Sequence, residues 1–186
     1  MKTNQWIGLA AAWLMAATTA SADIFSDIGG WFSEHFQNET NSKSLFSRGE
    51  LSLDIFGTIY SEDRHIPNGP SLDGQLGMGL GVNYFLTERL GVGAETAASN
   101  NGNSFFDYFA ISGIYRFPLE KLRIAPYGFA GFAEQFDIRH EASGHLGAGV
   151  EYRLNPKTGV YVDGRYVWAD QTNDYWLFRL GVRLLF

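Results

Sequence analysis

The chain contains no cysteine. That excludes a disulfide framework and a lipid-modified N-terminal cysteine. Basic residues are scarce: 14 Lys and Arg stand against 20 Asp and Glu, for a formal net charge of −6. Binding to nucleic acid needs a basic surface, so that class of partner is excluded. After residue 22 no apolar run approaches the roughly 20 residues that a membrane-spanning helix needs. What remains is rich in other ways. Phe, Tyr and Trp make up 16% of the chain, and there are 22 glycines among 186 residues, a length that fits one domain. Aromatic and glycine enrichment without a spanning helix points to a β-barrel or an exported β-sandwich.

The N-terminus supports export. Lys2 supplies a short positive region, Trp6 to Ala17 an apolar core, and Ala20-Ser21-Ala22 a small-residue cleavage site. Residues 1–22 therefore read as a secretory signal peptide cut before Asp23. Without Lys2, 13 basic residues face 20 acidic ones and the mature chain stands at −7. Residues 23–49 read as an amphipathic helix followed by a polar linker. Ile24, Phe25, Ile28, Trp31, Phe32 and Phe36 recur at helical spacing, and Asp23 is placed to cap the start. An aromatic amphipathic helix of this kind suits the membrane interface at the rim of a barrel.

Residues 50–186 alternate in eight segments of about the length of a tilted spanning strand, roughly 9–11 residues. They are Glu50–Tyr60, Asp73–Phe85, Leu90–Ala98, Phe106–Phe117, Leu122–Gln135, Ser143–Leu154, Thr158–Trp168 and Trp176–Phe186. The second sets Leu76, Met78, Leu80, Val82 and Tyr84 against Gln75, Gly77, Gly79, Gly81 and Asn83. The eighth sets Trp176, Phe178, Leu180, Val182, Leu184 and Phe186 against a parity holding Arg179 and Arg183. The fifth is apolar on both parities and contains Pro126, so its facing stays open. Tight turns at Leu86–Arg89, Pro118–Lys121 and Asn155–Lys157 alternate with mostly longer polar loops at Ser61–Leu72, Ser99–Phe105, Phe136–Ala142 and Ala169–Asp174. Such asymmetry is expected of an outer-membrane barrel with its short turns in the periplasm. Two aromatic girdles are expected as well. Tyr84, Phe85, Phe117, Tyr152 and Phe186 fall on the turn side; Tyr60, Phe105, Phe106, Phe136, Trp168, Tyr175 and Trp176 fall on the loop side. The predicted fold is all-β, an eight-stranded antiparallel up-and-down transmembrane β-barrel with a short N-terminal amphipathic helix.

Residues 50–186 resemble the small eight-stranded outer-membrane barrels of the OmpA transmembrane-domain and opacity-protein type. The resemblance rests on the RIAPYGFAGFA segment around Pro126-Tyr127-Gly128, the QLGMGLGVNYF strand, and the terminal stripe ending in Phe186. It implies a location in the outer membrane of a Gram-negative-type cell, with lipids and lipopolysaccharide as surroundings. It also implies that the stripe Trp176, Phe178, Leu180, Val182, Leu184 and Phe186 is read by the barrel-assembly machinery.

An eight-stranded barrel is filled by side chains, without a wide channel. The parity opposite the apolar stripe carries Glu50, Asp54, Glu95, Arg116, His145, Glu151, Arg153, Asp163, Arg165, Arg179 and Arg183. Charges so enclosed must pair, because an uncompensated one costs several kcal/mol. Across a seam between strands one and eight, Glu50 with Arg183 and Asp54 with Arg179 satisfy one common antiparallel register. Strands six and seven would bring Glu151 and Arg153 near Asp163 and Arg165. The function expected is that of a non-enzymatic envelope-structural or surface-display barrel plugged by salt bridges. A narrow ion- or proton-conducting pore, a lipid-modifying barrel enzyme and a soluble exported ligand-binding barrel are the alternatives. No catalytic residue, cofactor or metal is expected. Ser143 and His145 share a strand face but stand too far apart for a direct bond. Asp137, His140 and Glu141 read as a solvated face, and His35 and His65 as surface residues.

Overall fold

The computed structural model describes residues 44–62, 74–99, 108–135, 141–169 and 174–186. The expected signal peptide and aromatic helix lie outside these residues. So do Phe105, Phe106, Phe136, Asp137, His140, His35 and His65. The residues Asn41–Leu185 form one compact unit.

Eight strands follow one another: β1 (Leu51–Glu62), β2 (Leu76–Phe85), β3 (Leu90–Ser99), β4 (Tyr108–Arg116), β5 (Ile124–Gln135), β6 (Glu141–Asn155), β7 (Thr158–Ala169) and β8 (Tyr175–Leu185). Each pairs antiparallel with the next, and β1 pairs with β8, so the sheet is a closed barrel. Closure leaves no edge strand, and every backbone N–H and C=O of a strand can find its partner in a neighbour, as hydrocarbon surroundings require. The short connections between β2 and β3, β4 and β5, and β6 and β7 share one end, here the turn side. The β4–β5 connection is longer than a tight turn and holds a 3-10 turn at Glu120–Leu122.

Period-two patterning sorts side chains to the two faces. Along β4 buried and exposed residues alternate without a break, and β8 does nearly the same. The apolar parity faces outward: Met78, Ile111, Phe132, Val162 and Leu180 are each more than half exposed. In a soluble barrel that face would be the core; here it is a band suited to lipid. The fifth strand resolves cleanly. Ala125, Tyr127, Phe129 and Ala133 point inward, while Ala130, Phe132 and Glu134 point out.

The girdles need correction at three positions. Tyr84, Tyr115, Phe117 and Tyr152 face out near the turn side, and Trp168 and Trp176 face out near the loop side. Phe85, Tyr60 and Tyr175, by contrast, are buried inside. Their parity is the inward one, and a girdle position is set by facing as well as by height.

Inward rings settle against glycines. Phe56 faces Gly79 across β1–β2, Phe129 faces Gly147 across β5–β6, Tyr127 faces Gly149, and Tyr161 faces Gly181 across β7–β8. A Cβ on Gly79 would fall 2.5 Å from the Phe56 ring, and one on Gly181 would fall 2.7 Å from the Tyr161 ring. The missing side chain on one strand is the space in which the neighbour's ring lies, an arrangement that also pins register.

Candidate functional site

The inward face carries five arginines, Arg116, Arg153, Arg165, Arg179 and Arg183, and five carboxylates, Glu50, Asp54, Glu95, Glu151 and Asp163. All are nearly or completely shielded from solvent. They fall into two groups, each electrically neutral.

The first group starts at the turn-side mouth. Arg116 on β4 and Arg153 on β6 both donate to Glu50 Oε1 at 2.6 Å. Arg153 also pairs with Glu151, two residues earlier on the same face of β6. Glu151 Oε2 accepts from Arg183 Nη1 at 2.6 Å. Arg183 then grips Asp54 with two parallel bonds, Nε to Oδ1 at 2.8 Å and Nη2 to Oδ2 at 2.7 Å. Charges of opposite sign therefore alternate from Arg116 through to Asp54. Asn83 closes the chain, donating to Asp54 Oδ2 at 2.9 Å and to Ser52 Oγ at 3.1 Å.

The second group lies further toward the loop side. Arg179 grips Asp163 through Nε and Nη2, both at 2.7 Å. Glu95, reaching from β3, pairs with Arg179 and with Arg165, the latter at 2.7 Å. Tyr127 donates its hydroxyl to Asp163 Oδ2 at 2.6 Å, and Arg165 donates to the Tyr108 hydroxyl. Between the groups stands the ring of Tyr161, 5.8 Å from the Arg179 guanidinium and 5.0 Å from that of Arg183. Phe129 lies similarly against Arg165 and Arg179. Aromatic faces so placed stabilise desolvated cations. Tyr60, Val167, Tyr175 and Leu177 form an apolar layer toward the loop-side end.

The expected seam register is corrected. Asp54 pairs with Arg183, and Arg179 stands opposite Thr58, four residues from the register that would pair Glu50 with Arg183. Antiparallel spacing fixes the separation between charges on one strand, and any even shift keeps both parities. Packing around the closed circuit selects the shift. Glu50 is thereby left at the mouth, where Arg116 and Arg153 take it. Asp163 and Arg165 do not join Glu151 and Arg153 either. They stand opposite Gly149 and Gly147, and their ion pairs run to Arg179 and Glu95.

His145 on β6 is buried and meets Ser112 on β4 inside the barrel, past the intervening β5, with Oγ to Nε2 at 2.9 Å. Ser143 instead donates to the Ala133 carbonyl at 3.3 Å. Among the described residues His145 Nδ1 has no hydrogen-bond partner. No group of His, Asp or Glu among the described residues has the arrangement to hold a metal ion. The polar partners Asn83, Ser112, Tyr108 and Tyr127, and the ring of Tyr161, were not singled out by charge patterning. The signal that could have found Tyr127 and Tyr161 is an aromatic residue on the inward parity opposite a glycine.

A closed barrel with an apolar exterior and a neutralised charged interior defines an integral β-barrel membrane protein. The chain belongs to the outer membrane protein beta-barrel domain family, whose model matches residues 7–186. Its location is accordingly the outer membrane, among lipids. The fold is similar to that of the N-terminal β-barrel domain of Pseudomonas aeruginosa OprF, at 17% identity over 75% of this chain and 99% of that one, with a TM-score of 0.59. It is similar to a de novo designed transmembrane β-barrel, at 17% identity over 75% and 97% of the two chains and a TM-score of 0.56. It is also similar to Ail of Yersinia pestis in complex with the heparin analogue sucrose octasulfate, at 19% identity over 75% and 99%, with a TM-score of 0.54. No curated protein sequence matches the chain.

Proposed function

We propose that this protein is a non-enzymatic outer-membrane barrel with an envelope-structural or surface-display role, its interior plugged by ion pairs. The observation that carries the reading is the neutrality of both interior groups. Each arginine has a carboxylate partner, and aromatic rings fill the space between the groups. A water-filled path needs charges that face water, whereas these face one another.

The enzyme reading loses support at Ser112 and His145. The pair sits inside the barrel, with no third group among the described residues orienting the imidazole, and a site needs roles and geometry together. Polyanion binding of the kind named for the Ail complex fits poorly here. The loop-side connections carry acids such as Asp63, Asp73, Asp107, Asp137 and Asp170 against two arginines, Arg64 and Arg139. The turn end has the opposite balance, with exposed Arg48, Arg89, Lys121, Arg123 and Lys157 against Glu88 and Glu120, a composition suited to phospholipid phosphates. Insertion would follow cleavage after Ala22, with the outward stripe of β8 presented to the barrel-assembly machinery.

Planar-bilayer recording of the full mature chain at neutral pH tests the plug. Silence at moderate voltage is the expected outcome. Discrete channel openings would sink it in favour of the narrow pore.

A further inference from the structure

The stretch before β1 is not a free linker. Phe46 is fully buried, stacked under the guanidinium groups of Arg153 and Arg116 at 4.6 and 5.2 Å. The Ser47 carbonyl accepts from Arg116 Nη2 at 3.2 Å. Gly49 adopts φ +77°, a left-handed conformation that strains any residue bearing a Cβ, and its N–H reaches the Phe85 carbonyl at 2.8 Å. At the other end Glu120 accepts three hydrogen bonds. The Ser44 hydroxyl donates to Oε1 at 2.5 Å, the Leu45 N–H to Oε2 at 3.1 Å and the Phe46 N–H to Oε1 at 3.3 Å.

Topology gives these contacts their meaning. Glu120 belongs to the β4–β5 connection, and in a closed eight-stranded ring β5 lies opposite β1. The chain from Ser44 to Glu50 can reach about 20 Å when extended, enough to cross the mouth of a small barrel. It therefore runs from the far rim to β1 directly beneath the Arg116–Glu50–Arg153 cluster.

We propose that Ser44–Glu50 is a strap that closes the turn-side mouth of the barrel, with Phe46 as its stopper and the Glu120 carboxylate as its latch. Closed, it keeps periplasmic water from the first ion-pair group. Released, it opens that group to solvent without unpairing any strand. The inference goes beyond the plug reading, because it concerns access from one end and holds whether or not the barrel conducts.

The absence of native cysteine makes a single reporter thiol possible. Ser52 faces inward just beyond Glu50 and is fully buried. The test is the labelling rate of S52C by a small charged methanethiosulfonate reagent in the folded, detergent-solubilised full chain, with heat-modifiable gel mobility confirming the barrel. The expected result is slow labelling in the S52C parent and a rise of about tenfold or more on adding E120A, as befits loss of charge-assisted hydrogen bonds. The milder E120Q, which keeps one acceptor oxygen, is expected to give a smaller rise. Amide exchange at Leu45 and Phe46 rises in step in both variants while strand amides stay protected. Fast labelling of the S52C parent, or labelling and exchange unchanged by E120A, would overturn the proposal.

Discussion

The two neutral groups inside the barrel are built differently. The turn-side group is a chain of six charges in which the inner carboxylates, Glu50 and Glu151, each hold two arginines. Much of it is local to the seam and to β6, and the strap covers its outer end. The loopward group has four charges and depends on one residue, Glu95, that reaches from β3 to arginines on β7 and β8. Every inner charge of the first group has two partners of opposite sign, whereas the other group reaches β3 through a single carboxylate. An inner charge with two partners tolerates the loss of one; Arg165, whose carboxylate partner is Glu95, does not.

That contrast can be broken by substitution. Glu95→Ala leaves Arg165 without its carboxylate partner and removes one from Arg179, so it is expected to cost about 3–5 kcal/mol in urea unfolding from lipid vesicles. At the seam, Arg183→Leu is expected to cost less, about 2–3 kcal/mol, because Asn83 still serves Asp54 and Arg153 still serves Glu151. The double variant Asp54→Leu with Arg183→Leu should recover most of that loss. A double variant no more stable than the single would contradict an alternating chain whose links compensate for one another.

Gly147→Val tests the ring packing inside the loopward group. It forces a side chain into the Phe129 ring, and about 1–3 kcal/mol of destabilisation is expected, seen as a lower unfolding midpoint. On the outer face, Trp176→Ala removes ring contacts with Tyr166 and Phe178, and about 1 kcal/mol is expected from the same measurement.

The smallest effect concerns acid and the strap. Burial raises the Glu120 carboxyl, but hydrogen bonds from the Ser44 hydroxyl and the Leu45 and Phe46 amides outweigh it, with help from the charge of Arg153, and hold it below its ordinary value. A carboxyl lowered in the folded state stabilises the strap above its unfolded value. The contribution is lost as pH falls through the folded one. Exchange at the Leu45 and Phe46 amides, normalised to strand amides, should therefore loosen between about pH 6 and pH 3. Unchanged relative protection over that range would remove Glu120 from the latch.

Much of this architecture is legible residue by residue. Alternation in the stretch QLGMGLGVNYF marks β2, and the stripe from Trp176 to Phe186 marks β8, because side chains on a pleated strand must alternate faces. The same logic puts Arg179 and Arg183 on the inside. It fails for β5, where Ile124 to Ala133 is apolar or glycine on both parities; only pairing with β4 and β6 turns Tyr127 and Phe129 inward. It also misplaces Phe85, Tyr60 and Tyr175, since closeness to a strand end indicates height in the bilayer but not facing.

Phe46 escaped notice for a related reason. One aromatic residue in a polar stretch has no period to betray it, and its partners Arg116, Arg153 and Glu120 are distant in the chain. A designed transmembrane barrel at 17% identity shares the fold, which accords with pattern rather than particular residues specifying a closed sheet.

Local chemistry thus fixes the strand number, the faces of every strand but β5, the tight turns after β2 and β6 and the identity of the enclosed charges, all of which follow from the pleat, the turn residues and the cost of burying a charge. The partner of each charge follows from the shear of the closed sheet. A shift of four residues at the β1–β8 seam preserves every face while giving Asp54 to Arg183, Glu50 to the mouth, and Arg179 to Asp163 and Glu95. Register is a property of the whole circuit, satisfied only when all eight pairings close at once, and no single strand contains it.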